Sequence, residues 1–395
     1  MEFAFGAEVE KFRQEVRDFI KQELRNEVVE ELESGMGAGP YTREFWGKLG
    51  ARGWLASNLP KEYGGLGGTH WQRFVLTDEL SYYRGMPDLM IAVQIVAPTL
   101  LLYGSEEQKQ YFLPRIARGE IQVALNYTEP NAGSDLASIE TRAVEDGDGF
   151  VVNGQKCFSS FTHYCEYGWL LARTDPTAPK KYQGVSLFIV DLNTPGITLR
   201  PVWIMDGVRT NEVFYDDVRI SKKCLVGEKN RGFYYLTTAL NFERVYPLGW
   251  TKRIFDELVE YVRESGKGKD PLVRQSIAQL AAELQAIYLL SYRVVWMMEA
   301  GQVPMIEGPV LKTYWSEFTQ RLAKFGWRTM GLYGQIYGGL FGQPYGKLQE
   351  PGSKWAPLQG RIEWLTRYSP RRTIGGGTVE IMRNTIAQRG LGLPR

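Results

Sequence analysis

Hydrophobic period is what most narrows the folds open to this chain, because it changes twice along its length. Up to about residue 121 apolar residues recur at helical spacing, as in Phe12, Val16 and Phe19 set among Glu, Lys and Arg. From Gln122 to about Gly232 the apolar runs are short and β-rich. Turn residues such as Asp146-Gly147-Asp148-Gly149 and Asn153-Gly154 punctuate them. Beyond Phe233 the helical period returns, with Phe255, Leu258, Val259 and Val262 on one face. A chain of 395 residues suits two or three domains. The order therefore predicts an α+β protein: a helical domain over 1–121, a β sandwich or barrel over 122–232 and a second helical domain over 233–395.

Local signals sharpen this outline. The Gly/Pro break at 35–40 ends the first helix, and the glycine loop 62–68 precedes an apolar helix through Phe74–Tyr83. Ser105 followed by Glu106-Glu107-Gln108 is an N-cap with an acidic first turn, so a helix runs on to Ile116. Strands are expected at 122–127, 149–153, 168–172, 185–190, 197–203 and 212–220. Later helices should begin near Pro271, Gly308 and Thr378, with a long loop over 342–360.

Composition excludes several functions. A net charge of +2 without a long basic run gives no case for nucleic acid or a membrane surface. No stretch approaches the ~18 consecutive apolar residues of a spanning helix. Glu2, Glu8, Glu10 and Glu15 interrupt anything like a leader peptide. Cys157, Cys165 and Cys224 cannot all pair and lack zinc-like spacing, which points to reduced thiols in a cytoplasmic protein. With only His70 and His163, a Ser-His-Asp hydrolase or His-ligated metal is disfavoured. Gly35-Met36-Gly37-Ala38-Gly39 follows a helix, and Gly266-Lys267-Gly268-Lys269 lacks P-loop spacing, so both are plain loops.

Motifs then carry the reading further. Pro60-Lys61-Glu62-Tyr63-Gly64-Gly65, Gly104-Ser105-Glu106-Glu107-Gln108-Lys109, Ile116-Ala117-Arg118-Gly119-Glu120 and Leu225-Val226-Gly227-Glu228 stand in order along the chain. Most specific is Thr128-Glu129-Pro130-Asn131-Ala132-Gly133-Ser134-Asp135. Together with Gly376-Gly377-Thr378 these resemble the acyl-CoA dehydrogenase family over nearly the whole chain. That resemblance implies an N-terminal helical domain, a middle β domain, a C-terminal four-helix-bundle domain, and FAD as cofactor. It implies that Thr128 and Ser134 hydrogen-bond the flavin and its phosphates. In Lys156-Cys157-Phe158-Ser159-Ser160 it places Phe158 where the family has an aromatic stacked on the flavin, and Ser160 where it has a hydroxyl near N5. Gln335, Gly338 and Gly339 match a loop that meets the flavin pyrophosphate of a neighbouring subunit, and Thr378 belongs to the cofactor segment. The family's Arg-x-x-Phe-Gly element is poorly kept at Arg263-Glu264-Ser265-Gly266, which points to an unequal partner subunit.

The family removes a proton α to the thioester and passes a hydride from the β carbon to flavin N5. The base is a carboxylate that an apolar site raises toward the operating pH. Many members hold it in the C-terminal segment, where this chain has Gly376. Gly376 keeps a backbone N–H for the thioester oxygen and supplies no carboxylate. Other members place the base just after the β domain, before an Arg, and Glu243 in Phe242-Glu243-Arg244 fits that position. Arg371-Arg372-Thr373-Ile374-Gly375-Gly376-Gly377-Thr378 resembles the subgroup of actinobacterial steroid catabolism, whose members work as α2β2 heterotetramers on bulky acyl-CoA esters. An electron-transfer flavoprotein is implied as acceptor. A flavin monooxygenase or oxidase of the same fold, and a non-catalytic subunit of a hetero-oligomer, remain open as alternatives.

Overall fold

The protein is described here from a computed structural model covering residues 5–34, 38–85, 91–242, 247–337 and 356–394. The N-terminal unit contains α1 (Ala7–Glu23), α2 (Asn26–Glu33), α3 (Pro40–Ala51), α4 (His70–Tyr82), α5 (Ala97–Tyr103) and α6 (Glu106–Ala117). α1 buries Phe12, Val16, Phe19 and Ile20, the face its sequence period marks. The single helix expected up to the 35–40 break is two helices, because Leu24 turns extended and ends α1. α4 and α6 each open on a reciprocal capping box, Thr69 with Gln72 and Ser105 with Gln108. Buried Gln108 then donates from Nε2 to the carbonyls of Lys223 and Leu225, at 2.8 and 2.9 Å, tying α6 to the end of the β region.

Seven strands follow: β1 (Val123–Asn126), β2 (Arg142–Asp146), β3 (Gly149–Lys156), β4 (Tyr167–Arg173), β5 (Val185–Asp191), β6 (Ile197–Trp203) and β7 (Arg209–Ser221). They form one mixed, curled sheet in the order β1-β4-β2-β3-β7-β6, with β5 on β4. β1 and β4 are parallel, and β3, β7 and β6 make an antiparallel ribbon. The pleat sends Leu170, Ala172, Phe188 and Val190 into the sheet's own core with Phe150, Val152 and Val213. Their neighbours Trp169, Leu171, Leu187 and Ile189 join the helices' core. With both faces covered, Trp169–Ala172 of β4 and Leu187–Val190 of β5 read as unbroken apolar runs. β2 escaped the sequence reading because, of its residues, only Ala143 is buried.

The C-terminal unit holds α7 (Gly232–Phe242), α8 (Gly249–Glu264), α9 (Pro271–Glu299), α10 (Glu307–Met330), α11 (Arg361–Arg372) and α12 (Val379–Thr385). α10 lies in the middle, packed on α8, α9, α11 and α12. α9 starts at Pro271 as the sequence predicts, where Asp270 caps the Leu272 N–H at 2.8 Å. α11 is an addition to that reading, and it buries Ile362, Trp364, Leu365 and Tyr368. Most of the 342–360 loop lies outside the described residues. The three cysteines are free thiols. Among the described residues no helix is long and apolar enough to cross a membrane.

Candidate active site

One wall of the site is built where β1 ends and β3 runs out. Lys156, fully buried at the end of β3, reaches Glu129 Oε1 at 2.8 Å and the Tyr127 carbonyl at 3.0 Å. Glu129 also accepts the backbone N–H groups of Glu140 and Thr141, at 2.6 and 2.9 Å. Burial pushes the Glu129 carboxyl up, but the Lys156 ammonium and these donors outweigh it and hold it below its ordinary value. The carboxylate is therefore a structural post for the loop 128–135. The Cys157 N–H closes the other side on the Thr128 carbonyl at 2.8 Å.

This framing leaves Thr128 half-buried, Ser134 exposed and Ser160 half-buried. Their three hydroxyls make no hydrogen bond among the described residues. Phe158, next to the Cys157–Thr128 bond and two residues before Ser160, holds a left-handed backbone, φ 53°, and is 60% exposed. A bulky residue in that region is strained by about 1–2 kcal/mol and is uncommon outside functional loops. An open aromatic face next to unused hydroxyls is the chemistry that a flat, polar-edged ring needs.

The second wall is the turn after α11. Lys312 Nζ and Ser316 Oγ on α10 both donate to the Arg372 carbonyl, the latter at 2.9 Å. The Arg372 guanidinium lies over the Trp315 ring, 3.9 Å from its centroid. Ile374 and Gly375 donate back to the Arg371 carbonyl at 3.1 and 2.9 Å, and Val379 donates to Thr373 at 3.0 Å. Inside this closed loop Gly376 and Gly377 both have positive φ, 72° and 91°, which glycine adopts freely and other residues only at a cost. The exposed Gly376 keeps its N–H without a hydrogen bond among the described residues. Thr378 is half-buried, and its hydroxyl oxygen caps α12 by accepting the Ile381 N–H at 3.2 Å. That leaves its O–H as a donor.

α11 also docks onto the β6–β7 hairpin. Trp364 Nε1 donates to the Asp206 carbonyl at 3.0 Å, Arg371 Nη1 to the Asp206 carboxylate at 3.0 Å and Arg367 Nη1 to the Met205 carbonyl at 2.9 Å. The glycine turn is thus fixed to the same sheet that carries Phe158 and Ser160. Sequence reasoning missed this dock, for an isolated Asp206-Gly207 reads only as a hairpin turn. Gln335 ends a short 3₁₀ segment, Gly331–Gln335, and is exposed. Glu243, Gly338 and Gly339 lie outside the described residues. The last described residue of α7 is Phe242, directly before Glu243. An open cleft of ≈ 450 Å³ on α8 is lined by Glu257, Glu260 and Glu264 and shares no residue with these walls.

Two walls of this kind, one of hydroxyls and an aromatic on a sheet and one of bare backbone N–H after a helix, suit a flavin dehydrogenase acting on a thioester. Comparison with known proteins gives the class. The chain matches the acyl-CoA dehydrogenase N-terminal domain over residues 6–120, the middle domain over 124–218 and the C-terminal domain over 230–391. It belongs to the acyl-CoA dehydrogenase family, an oxidoreductase of acyl-CoA thioesters with FAD as cofactor. Acyl-CoA dehydrogenase FadE29 of Mycobacterium tuberculosis is 35% identical over 397 residues, covering 98% of this chain and 97% of the relative. Among solved structures, the Tcur3481-Tcur3483 steroid ACAD matches at TM-score 0.90 and 36% identity over the whole of both chains. The ChsE4-ChsE5 complex of Mycobacterium tuberculosis matches at TM-score 0.87 and 32% identity, again over both whole chains. The residues present fit FAD: on the β side three hydroxyls without a hydrogen bond among the described residues would donate to it, and the open Phe158 face would stack on its ring.

Proposed function

We propose that the chain is the base-bearing subunit of a cytoplasmic, heteromeric acyl-CoA dehydrogenase that oxidises bulky steroid side-chain CoA esters at the α,β bond. The observation that carries this reading is the Gly376 turn: a backbone N–H with no hydrogen bond among the described residues, in a loop fastened from behind by Lys312 and Ser316. Such a donor stabilises the negative charge that grows on the thioester oxygen as the α proton leaves. Glu243 takes that proton from the α carbon, at the junction after α7. Bound flavin supplies the acceptor for the β-carbon hydride. Phe158 supports the ring face, Ser160 and Thr128 donate to its edge, and Ser134 and Thr378 donate at its periphery.

Several features support the finer parts. Gly375, Gly376 and Gly377 put no side chain beside the acyl chain, which leaves room for a polycyclic group. The similar Tcur3481-Tcur3483 steroid ACAD and ChsE4-ChsE5 complex agree with that shape. Exposed Leu332 and Tyr333 next to Gln335 form an apolar edge that a second, unlike subunit would cover while Gln335, Gly338 and Gly339 reach its flavin. Electrons would then leave to an electron-transfer flavoprotein, by the habit of the family.

The test is anaerobic flavin reduction by a steroid side-chain CoA thioester and by butyryl-CoA, in the parent and in Glu243→Gln. The parent should reduce quickly with the steroid ester and poorly with butyryl-CoA. Glu243→Gln should stay yellow and lose roughly 100- to 10,000-fold in rate. Near-parental reduction by that variant removes Glu243 as the base, and a preference for butyryl-CoA removes the bulky substrate.

A further inference from the structure

Phe158 and Ser160 flank a residue that is held more tightly than either. The Ser159 carbonyl accepts three donors: the Asn211 N–H at 3.1 Å, Asn211 Nδ2 at 3.1 Å and Thr162 Oγ1 at 3.1 Å. The Ser159 N–H in turn donates to the Asn211 carbonyl at 3.0 Å. Asn211, on β7, is fully buried, and Ser159 nearly so. Asn211 Oδ1 accepts from Arg209 Nε at 3.1 Å, and Nδ2 also meets His163 Nδ1 at 3.2 Å. Arg209 is donor-only, so Oδ1 must face it and Nδ2 must face Ser159 and His163. His163 Nδ1 then takes the acceptor role toward Nδ2.

Two non-glycine residues in this strip, Phe158 and Phe161, are left-handed at φ 53° and 64°. Strain of that kind persists only where the surroundings over-determine the backbone. The surroundings here are Asn211. We propose that Asn211 is a positioning residue of the dehydrogenation: its amide clamps the Ser159 carbonyl and so holds the Phe158 ring and the Ser160 hydroxyl in register with the flavin, with His163 as the clamp's outer stop. Asn211 touches neither cofactor nor substrate in this scheme. It acts through one peptide unit. The inference rests on the assignment of Phe158 and Ser160 to the flavin made above.

The experiment compares Asn211→Ala, Ser160→Ala, His163→Leu and His163→Gln in the full-length flavoprotein with its partner chain. Each is read by visible flavin spectrum, midpoint potential, FAD content and anaerobic reduction with a steroid side-chain CoA thioester. Asn211→Ala should keep its FAD but show an altered flavin band and a displaced potential. Its limiting reduction rate should fall by about 10- to 100-fold at little changed half-saturation, as for a misplaced reacting group. His163→Leu should move the same readouts in the same direction, and His163→Gln, whose side-chain oxygen can accept from Nδ2, should restore them. Asn211→Ala with a parental spectrum, potential and rate but a lower melting temperature makes the residue merely structural and overturns the proposal. Should Asn211→Ala not fold, the His163 pair decides, and parental behaviour of both overturns it. A silent Ser160→Ala would instead sink the flavin assignment itself, while an affected Ser160→Ala beside a silent Asn211→Ala sinks only the clamp.

Discussion

On the sheet side of the site, position is set by charged and amide side chains: Lys156 on Glu129, and Asn211 on Ser159. On the helix side, the Gly375–Gly377 turn has no side chains and is held by partners behind it, Lys312, Ser316 and Trp315 acting on Arg372. The difference follows from what each must present. A flat ring needs a rigid wall of oriented hydroxyls, so the wall can be thick and ionic. In the reading proposed above, a thioester with a wide acyl chain would meet one N–H and open space there, which a bare turn provides.

That contrast breaks most visibly at Lys156→Met. The variant leaves the nearly buried Glu129 without its counter-ion, which costs about 3–5 kcal/mol. Flavin should be lost from the β domain, and thermal melting followed with FAD content checks it. The pH response should also invert. In the parent, the depressed Glu129 carboxyl contributes stability that is complete above its unfolded value near 4.5 and is lost as pH falls through the lower folded value. Without Lys156 the burial that opposes ionisation dominates, so lowering the pH should stabilise the variant across that window. A parental acid slope in Lys156→Met would show that the pair does not anchor the wall.

Gly376→Ala probes the other plan. A Cβ at φ 72° costs about 1–2 kcal/mol, since only glycine adopts that region freely. The N–H survives the change, and the wall across the site is untouched. Melting should therefore fall by a few degrees with FAD content unchanged. Loss of FAD in Gly376→Ala would mean that the two walls are not built independently.

Much of this was legible beforehand, and for local reasons. Ser105-Glu106-Glu107-Gln108 announced a helix start because a capping box is closed within four residues, and the period changes near 122 and 233 come from the pleat and the helix turn themselves. β2 was invisible because Arg142-Ala143-Val144-Glu145-Asp146 carries almost no buried face, and pairing with β3 makes it a strand. Glu129 and Lys156 stood inside quoted motifs, yet their pairing joins residues 27 apart. Asn211 lies 52 residues from Ser159 and reads as an ordinary polar strand position. Long-range partners leave no mark in a local pattern.

The smallest predicted effect lies where the two plans meet in one side chain. Thr378 belongs to the glycine turn by position, but its side-chain oxygen holds backbone by capping α12 on the Ile381 N–H, much as Glu129 holds the Glu140 and Thr141 N–H groups on the sheet side. Loss of such a cap costs about 1 kcal/mol. Thr378→Val keeps the shape and removes both the cap and the O–H donor, whereas Thr378→Ser keeps both. If the hydroxyl only caps, Thr378→Val should lower the melting temperature by a few degrees and leave the flavin spectrum alone. The site as read here requires more: a changed flavin band in Thr378→Val, absent in Thr378→Ser, because the O–H left over from capping is the donor to the cofactor. A spectrum identical in all three proteins would confine Thr378 to the helix end and leave the glycine turn in contact with the substrate alone.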